Sequence, residues 1–298
     1  MSTTIPQTSS INLAQRRRIR NRSVTRHADV GFFTEEIAGR MFERLEYIKH
    51  DPQVILDLHC ALGATSVKLG QRFPDALTIR CDPAIALLQK QLPARSLSQK
   101  MLAWFGKSSS RLCAEAIALP IKASSVDLVW SNLLALGVDA PVIVREMKRV
   151  LKPGGLLMLS TLGPDTLKEL RAAFSRVDEL AHVQPQVDMH DLGDMLAHEG
   201  FQTPVVDMEM ITLTYPNLKS LANDLRAAGA TNLASSRRET LTGKNRWAAV
   251  ERAYEAMRHE GRLPATFEII YLHAWRGVDR NVADGRQIIQ FDQLKQRK

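Results

Sequence analysis

The chain has 298 residues, 45% of them apolar and 24% charged, with a net charge of +8. That length suits one large domain or two small ones, and the composition is that of an ordinary globular protein. No window approaches the ~18 apolar residues of a membrane span, and Arg16, Arg17 and Arg18 lead into no apolar segment, so neither a spanning helix nor a secretory signal is expected.

Residues 1–15 are polar, rich in Ser and Thr, and read as disordered. Arg16, Arg17, Arg18, Arg20, Arg22 and Arg26 have no facing acid, so residues 1–30 are expected to be a solvated basic arm. From Phe32 the pattern turns helical, with Ile37, Met41, Leu45 and Ile48 at three- and four-residue intervals. Strand and helix then alternate. A strand at about 53–58 precedes a helix at about 63–72, and a strand at 77–81 precedes a helix from Pro83. Residues 94–110, with Trp104 and Phe105, read as an irregular insertion before a strand at about 111–114. Val126–Ser131 is the fourth strand. The helix after it carries Ile143, Met147, Val150 and Leu151 on one face and stops at Lys152-Pro153-Gly154-Gly155. Gly155–Thr161 is the fifth strand. Helices around 164–175 and 190–199 lead to an apolar pair at 203–215, read as a hairpin. Residues 217–260 are largely helical, Thr266–Tyr271 is a late strand, and 277–298 a polar tail. Nearly continuous apolar strands separated by helices predict an α/β fold: a mostly parallel sheet with helices on both faces and a helical C-terminal addition, over 31–276.

Open parallel sheets bind ligands at the carboxyl ends of their strands. Asp57 ends the first strand, and the loop after it, Leu58-His59-Cys60-Ala61-Leu62-Gly63, turns towards a helix. Asp82 ends the second, where an acid can accept both hydroxyls of a ribose, and can also cap the helix at Pro83. Glu115 follows the third strand and Asn132 the fourth. A dinucleotide G-x-G-x-x-G, a Walker loop and a G-x-S-x-G elbow are absent, which argues against dehydrogenase, phosphoryl-transfer and hydrolase chemistry. Cys60, Cys81 and Cys113 form no C-x-x-C pair. They are expected to be buried thiols in a reducing compartment, with no disulfide, no zinc and a cytoplasmic location. The positive charge favours an acidic partner.

The loop resembles that of class I methyltransferases, D-x-G-x-G-x-G, with His59 and Ala61 in the first two glycine places and Gly63 in the third. Over roughly residues 19–276 the chain further resembles the malonyl-acyl-carrier-protein O-methyltransferases of biotin synthesis. The likeness lies in Glu36-Ile37-Ala38, Ala118-Leu119-Pro120 and Val126-Asp127-Leu128-Val129-Trp130-Ser131-Asn132-Leu133. It also lies outside the cofactor motifs, in Gly163-Pro164-Asp165-Thr166-Leu167, Asp188-Met189-His190-Asp191, Asp224-Leu225-Arg226 and Leu263-Pro264-Ala265-Thr266-Phe267-Glu268. The resemblance implies S-adenosylmethionine as methyl donor. Asp57, His59, Gly63, Asp82, Glu115 and Asn132 would bind it, with Asp57 at its cationic methionine end and Glu115 at the adenine amino group. The acceptor would be malonyl-acyl carrier protein, with nucleic acid disfavoured because Asn132 is not followed by Pro-Pro-aromatic. Arg226 is the preferred cation for the malonyl carboxylate, over Arg237 and Arg238. His27 stands where the family has a Tyr beside its active site, and Leu136-Gly137 stands where it has an aromatic. The altered loop keeps two alternatives open: a non-catalytic binding or assembly protein on this fold, and a protein-arginine hydroxylase resembling the complex I assembly branch.

Overall fold

A computed structural model describes residues 13–26, 30–90, 110–233, 237–238 and 240–277 of the chain. Strands β1 (Val54–Leu58), β2 (Leu77–Cys81), β3 (Ser110–Leu112), β4 (Val126–Ser131), β5 (Leu151–Leu162), β6 (Phe201–Tyr215) and β7 (Leu263–Arg276) form one sheet in the order β3-β2-β1-β4-β5-β7-β6. The first five are parallel, and β7 runs antiparallel to both β5 and β6.

Period-two alternation sorts the strand residues between two buried layers. On one face Ile55, Leu128, Trp130, Leu156 and Met158 pack under α2 (Gly31–Glu46), α3 (Ala64–Arg72), α6 (Lys168–Ser175), α8 (Leu218–Ala227) and α9 (Lys244–Glu255). On the other, Leu56, Leu58, Val129, Leu157 and Leu159 pack under α5 (Ala140–Val150) and α7 (Met189–His198). Ile37, Met41 and Leu45 of α2 are nearly inaccessible to solvent, as their spacing requires. Two further helices are α1 (Leu13–Ser23) and α4 (Ile85–Gln89).

Four sequence expectations need correction. The segment 203–215 is one strand, not a hairpin, because residues 205–214 contain no Gly, Pro or Asn to turn the chain. Its antiparallel partner is β7, with α8 and α9 inserted between them. The fifth strand begins at Leu151, since Leu151 already pairs with Val126 before an irregularity shifts the register to Leu128 and Leu156. Cys113 is exposed, whereas Cys60 and Cys81 are buried and all three are free. The basic arm is not simply solvated: residues 13–23 are helical, and Arg16 is buried against an acid far away in sequence. The expected insertion at 94–110, apart from Ser110 which opens β3, and the expected tail at 277–298, apart from Gly277, lie outside the described residues.

Candidate cofactor site at the carboxyl edge of the sheet

Strand register determines what meets at this edge. Leu58 lies beside Cys81 and Ser131, and Cys81 beside Leu112. The next residues on these strands, His59, Asp82, Cys113 and Asn132, therefore stand in a row. Between β1 and β4 the strand order reverses, which opens a crevice at the loop after β1.

That loop keeps the shape of a glycine-rich turn. His59, Ala61 and Gly63 all have positive φ, of 61°, 48° and 82°. Gly63 precedes α3 directly, and an added Cβ there would meet the Arg80 guanidinium at 3.4 Å. Asp57 anchors the start of α3, accepting from Thr65 Oγ1 at 2.9 Å and Ser66 Oγ at 2.5 Å. Burial pushes its carboxyl up to about 6, against the opposing pull of these hydroxyls. Its other oxygen, Oδ1, is buried with no hydrogen-bond partner, as is Nε2 of His59. Burial and then the Arg20 charge lower the His59 imidazole to about 3, so it is neutral at physiological pH. An orphaned carboxylate oxygen beneath the loop fits the cationic amino-acid end of S-adenosylmethionine.

Asp82 and Glu115 are both buried. Asp82 Oδ2 accepts from the Ala61 backbone N at 3.1 Å, which ties the loop to β2, and Oδ1 accepts from the Ala84 N at 2.9 Å. Side chains of α1 take the remaining capacity of Asp82 and one position on each oxygen of Glu115. Arg20 donates Nη2 to Asp82 Oδ2 at 2.5 Å and Nε to Oδ1 at 3.3 Å. Arg16 Nη2 donates to Glu115 Oε2, and Arg17 Nε donates to Oε1 at 2.7 Å. Burial alone would raise the Asp82 carboxyl, but the Arg20 charge and hydrogen bonds leave it below its ordinary value.

Asn132 sits at the edge as expected, with both ends of its amide engaged. Nδ2 donates to the Thr34 carbonyl at 2.7 Å, and Oδ1 accepts from Ser160 Oγ at 2.9 Å, so it fastens α2 to the end of β5. Asp57, His59, Gly63, Asp82, Glu115 and Asn132 thus share one edge. Arg226 stands apart from them, exposed on α8 and bonded to Asn223 Oδ1 at 3.2 Å. One turn on, Gly229 lies beside Arg20 and Ser23 of α1, so this end of α8 borders the site. Arg238 is bound to Asp178 at 3.2 Å, and His27 lies outside the described residues. Sequence reasoning missed Arg16, Arg17 and Arg20. The available signal was a run of arginines with no acid nearby, and their acids lie 62 to 99 residues further on.

Residues 56–159 match the family described as a methyltransferase domain. The chain is 46% identical over 256 residues to the malonyl-[acyl-carrier protein] O-methyltransferase of Gallionella capsiferriformans, covering 86% of this chain and 88% of that one. It is 41% identical over 283 residues to the protein of that name from a Methylovorus species, covering 94% and 95%. The chain belongs to the malonyl-[acyl-carrier protein] O-methyltransferase family. Among solved structures it resembles YcgJ of Bacillus subtilis, at a TM-score of 0.53 and 17% identity, over 82% of this chain and 99% of that one. A Bacillus halodurans chain superimposes at a TM-score of 0.54 and 12% identity, over 81% and 99%. These last two bear on the fold, which is that of a class I methyltransferase. Among the described residues no helix is long and apolar enough to cross a membrane, and no group of side chains could hold a metal ion.

Proposed function

We propose that this protein methylates the free carboxylate of a malonyl thioester on acyl carrier protein, a step of biotin synthesis that masks the charge before chain elongation. The observation that carries the reading is identity above 40% over most of the chain to relatives bearing that activity in their names. The site agrees with it. Asp57 would hold the methionine end of the donor, Asp82 the ribose hydroxyls and Glu115 the adenine amino group, each at the end of a neighbouring strand. When bound, S-adenosylmethionine supplies a methyl group made electrophilic by its sulfonium.

The acceptor carboxylate is ionised near neutral pH, so the chain need provide no general base. Its tasks are to align the acceptor and to exclude water. Arg226 is our candidate for holding the malonyl carboxylate, since it is uncommitted to any acid in the hydrogen bonds of α8 and lies a turn from the helix over the site. A net charge of +8 suits an acidic carrier protein and speeds its encounter. Three unpaired cysteines agree with a reducing compartment, the cytoplasm.

The test is incubation of the purified protein with S-adenosylmethionine and malonyl-acyl carrier protein, followed by mass spectrometry. A gain of one methyl group on the malonyl moiety is expected, and Arg226→Ala should lower the rate by about tenfold or more, the loss of a hydrogen bond to a charged group. No methyl gain by the wild-type protein would overturn the reading. Wild-type turnover by the variant would move the carboxylate to another cation.

A further inference from the structure

The acids assigned above to the cofactor are already occupied by the chain itself. Asp82 accepts four hydrogen bonds: from Ala84 N, from Ala61 N and two from Arg20. A carboxylate has about four acceptor sites, so ribose hydroxyls find none until Arg20 leaves. Each oxygen of Glu115 likewise holds an arginine nitrogen, from Arg16 and Arg17. Asp82 is 0% exposed and Glu115 4% exposed, so neither can be reached with α1 in place. On that assignment an adenosine would bring its own donors to the same acids: two hydroxyls to Asp82 and an amino group to Glu115.

We propose that α1 is an intramolecular competitor of S-adenosylmethionine: Arg16, Arg17 and Arg20 hold the cofactor's two carboxylates, and α1 must withdraw before the cofactor enters. This rests on the reading of Asp82 and Glu115 as cofactor ligands. It differs from a lid, which closes over a bound ligand, because here the side chains fill the ligand's own hydrogen-bonding places.

The helix is built to leave. Its fully buried residues are Arg16 and Ser23, both polar, while its large apolar side chains, Leu13 and Ile19, are only half-buried. Polar contacts also attach this segment: Asn21 Oδ1 accepts from Ala86 N at 3.0 Å, and Lys90 Nζ donates to the Val24 carbonyl at 2.8 Å. Arg16 is also poorly satisfied where it lies, with Nε and Nη1 buried and unpartnered. A buried guanidinium in that state is costly, which favours an exchange for a ligand that meets the acids without it. What opposes release is the pair of acids left behind, and the cofactor supplies the donors that they then need.

A reversible lock tests this in the full chain. A Cβ built at Gly229 lies 3.8 Å from Ser23 Cβ, within the ~3.5–4.5 Å range of a disulfide. Ser23→Cys and Gly229→Cys, combined with Cys113→Ser to remove the exposed thiol, should pin α1 to the turn after α8 when oxidised; Gly229 has a φ of 71°, so the strain of a Cys there is common to the two redox forms compared. Calorimetric titration with S-adenosylmethionine is expected to show at least about tenfold weaker binding in the oxidised form, restored by dithiothreitol. In a separate protein, Arg16→Gln, Arg17→Gln and Arg20→Gln together should tighten binding by about tenfold or more. Equal affinity of the oxidised and reduced forms would overturn the proposal, and so would weaker binding by the arginine variant. If Asp82→Asn with Glu115→Gln binds as wild type does, the cofactor assignment of those acids fails, and this inference falls with it. If that pair of changes weakens binding while the lock has no effect, the assignment stands and only the competition is refuted.

Discussion

At His59 and Ala61 the backbone holds a glycine conformation without glycine. Positive φ costs an ordinary L-residue about 1–2 kcal/mol, because Cβ crowds the carbonyl oxygen. The strain persists because the loop is pinned from several sides: Cys60 N donates to Cys81 O at 3.1 Å, Gly63 N to Cys60 O at 2.8 Å and Ala61 N to Asp82 at 3.1 Å. Ala61 contributes little packing, so replacing it isolates the backbone effect. Ala61→Gly should raise stability by about 1 kcal/mol, read as a higher midpoint in urea unfolding with the slope unchanged. A midpoint that stays in place would show that the surroundings have relaxed the strain. His59→Gly is a poorer probe, since it also removes a buried ring.

The contacts between elements decide how the end of β5 meets β7. Gly163 N donates to the Glu268 carbonyl at 2.9 Å, Asp165 N to Glu268 Oε2 at 2.6 Å and Leu167 N to the Thr266 carbonyl at 2.7 Å. A Cβ at Gly163 would overlap the Glu268 carboxyl, which is itself buried, so only glycine lets the two strands approach. Gly163→Ala should cost about 1–3 kcal/mol, the usual penalty of overpacking a tight site. Thermal unfolding of the variant checks it, and a wild-type melting temperature would mean that Glu268 swings aside freely. Asn132 belongs to the same level. Its amide joins α2, β4 and β5, which gives a mechanical reason for an Asn at the end of β4 in addition to any ligand contact.

For the molecule as a whole, the raised Asp57 carboxyl couples the end of β1 to global stability. Its value when folded is about 6, against the ordinary ~3.9 of an unfolded chain. Between about pH 4 and pH 6 the folded protein therefore keeps a proton that the unfolded chain has released. The stability contributed by that proton is present at low pH and is lost as the pH rises through 6. The loss amounts to about 3 kcal/mol in all. Asp57→Asn cannot titrate. Its stability relative to wild type should improve from pH 4 to pH 6 and then level off, as followed by denaturant unfolding at each pH. A constant difference across that range would show that Asp57 is charged in the folded protein throughout.

What the sequence determined by itself is local. Apolar runs and helical spacings are written within ten or twenty residues, so β1, β2, β4 and most of α2, α3 and α5 are legible from residue type alone. The acids at strand ends follow from the same reading, because a parallel sheet gathers those ends on one edge whatever the loops contain. Tertiary structure decided three further things. It joined β6 to β7 across a helical insertion, since antiparallel pairing depends on chain return and not on the pattern within either strand. It engaged both ends of the Asn132 amide, which sequence reasoning had offered to the cofactor. It also folded the arginine run onto Asp82 and Glu115. A charge run with no local partner looks solvated, and only the fold could bring it the acids, since electrostatic pairing depends on distance in space and leaves no periodic mark along the chain.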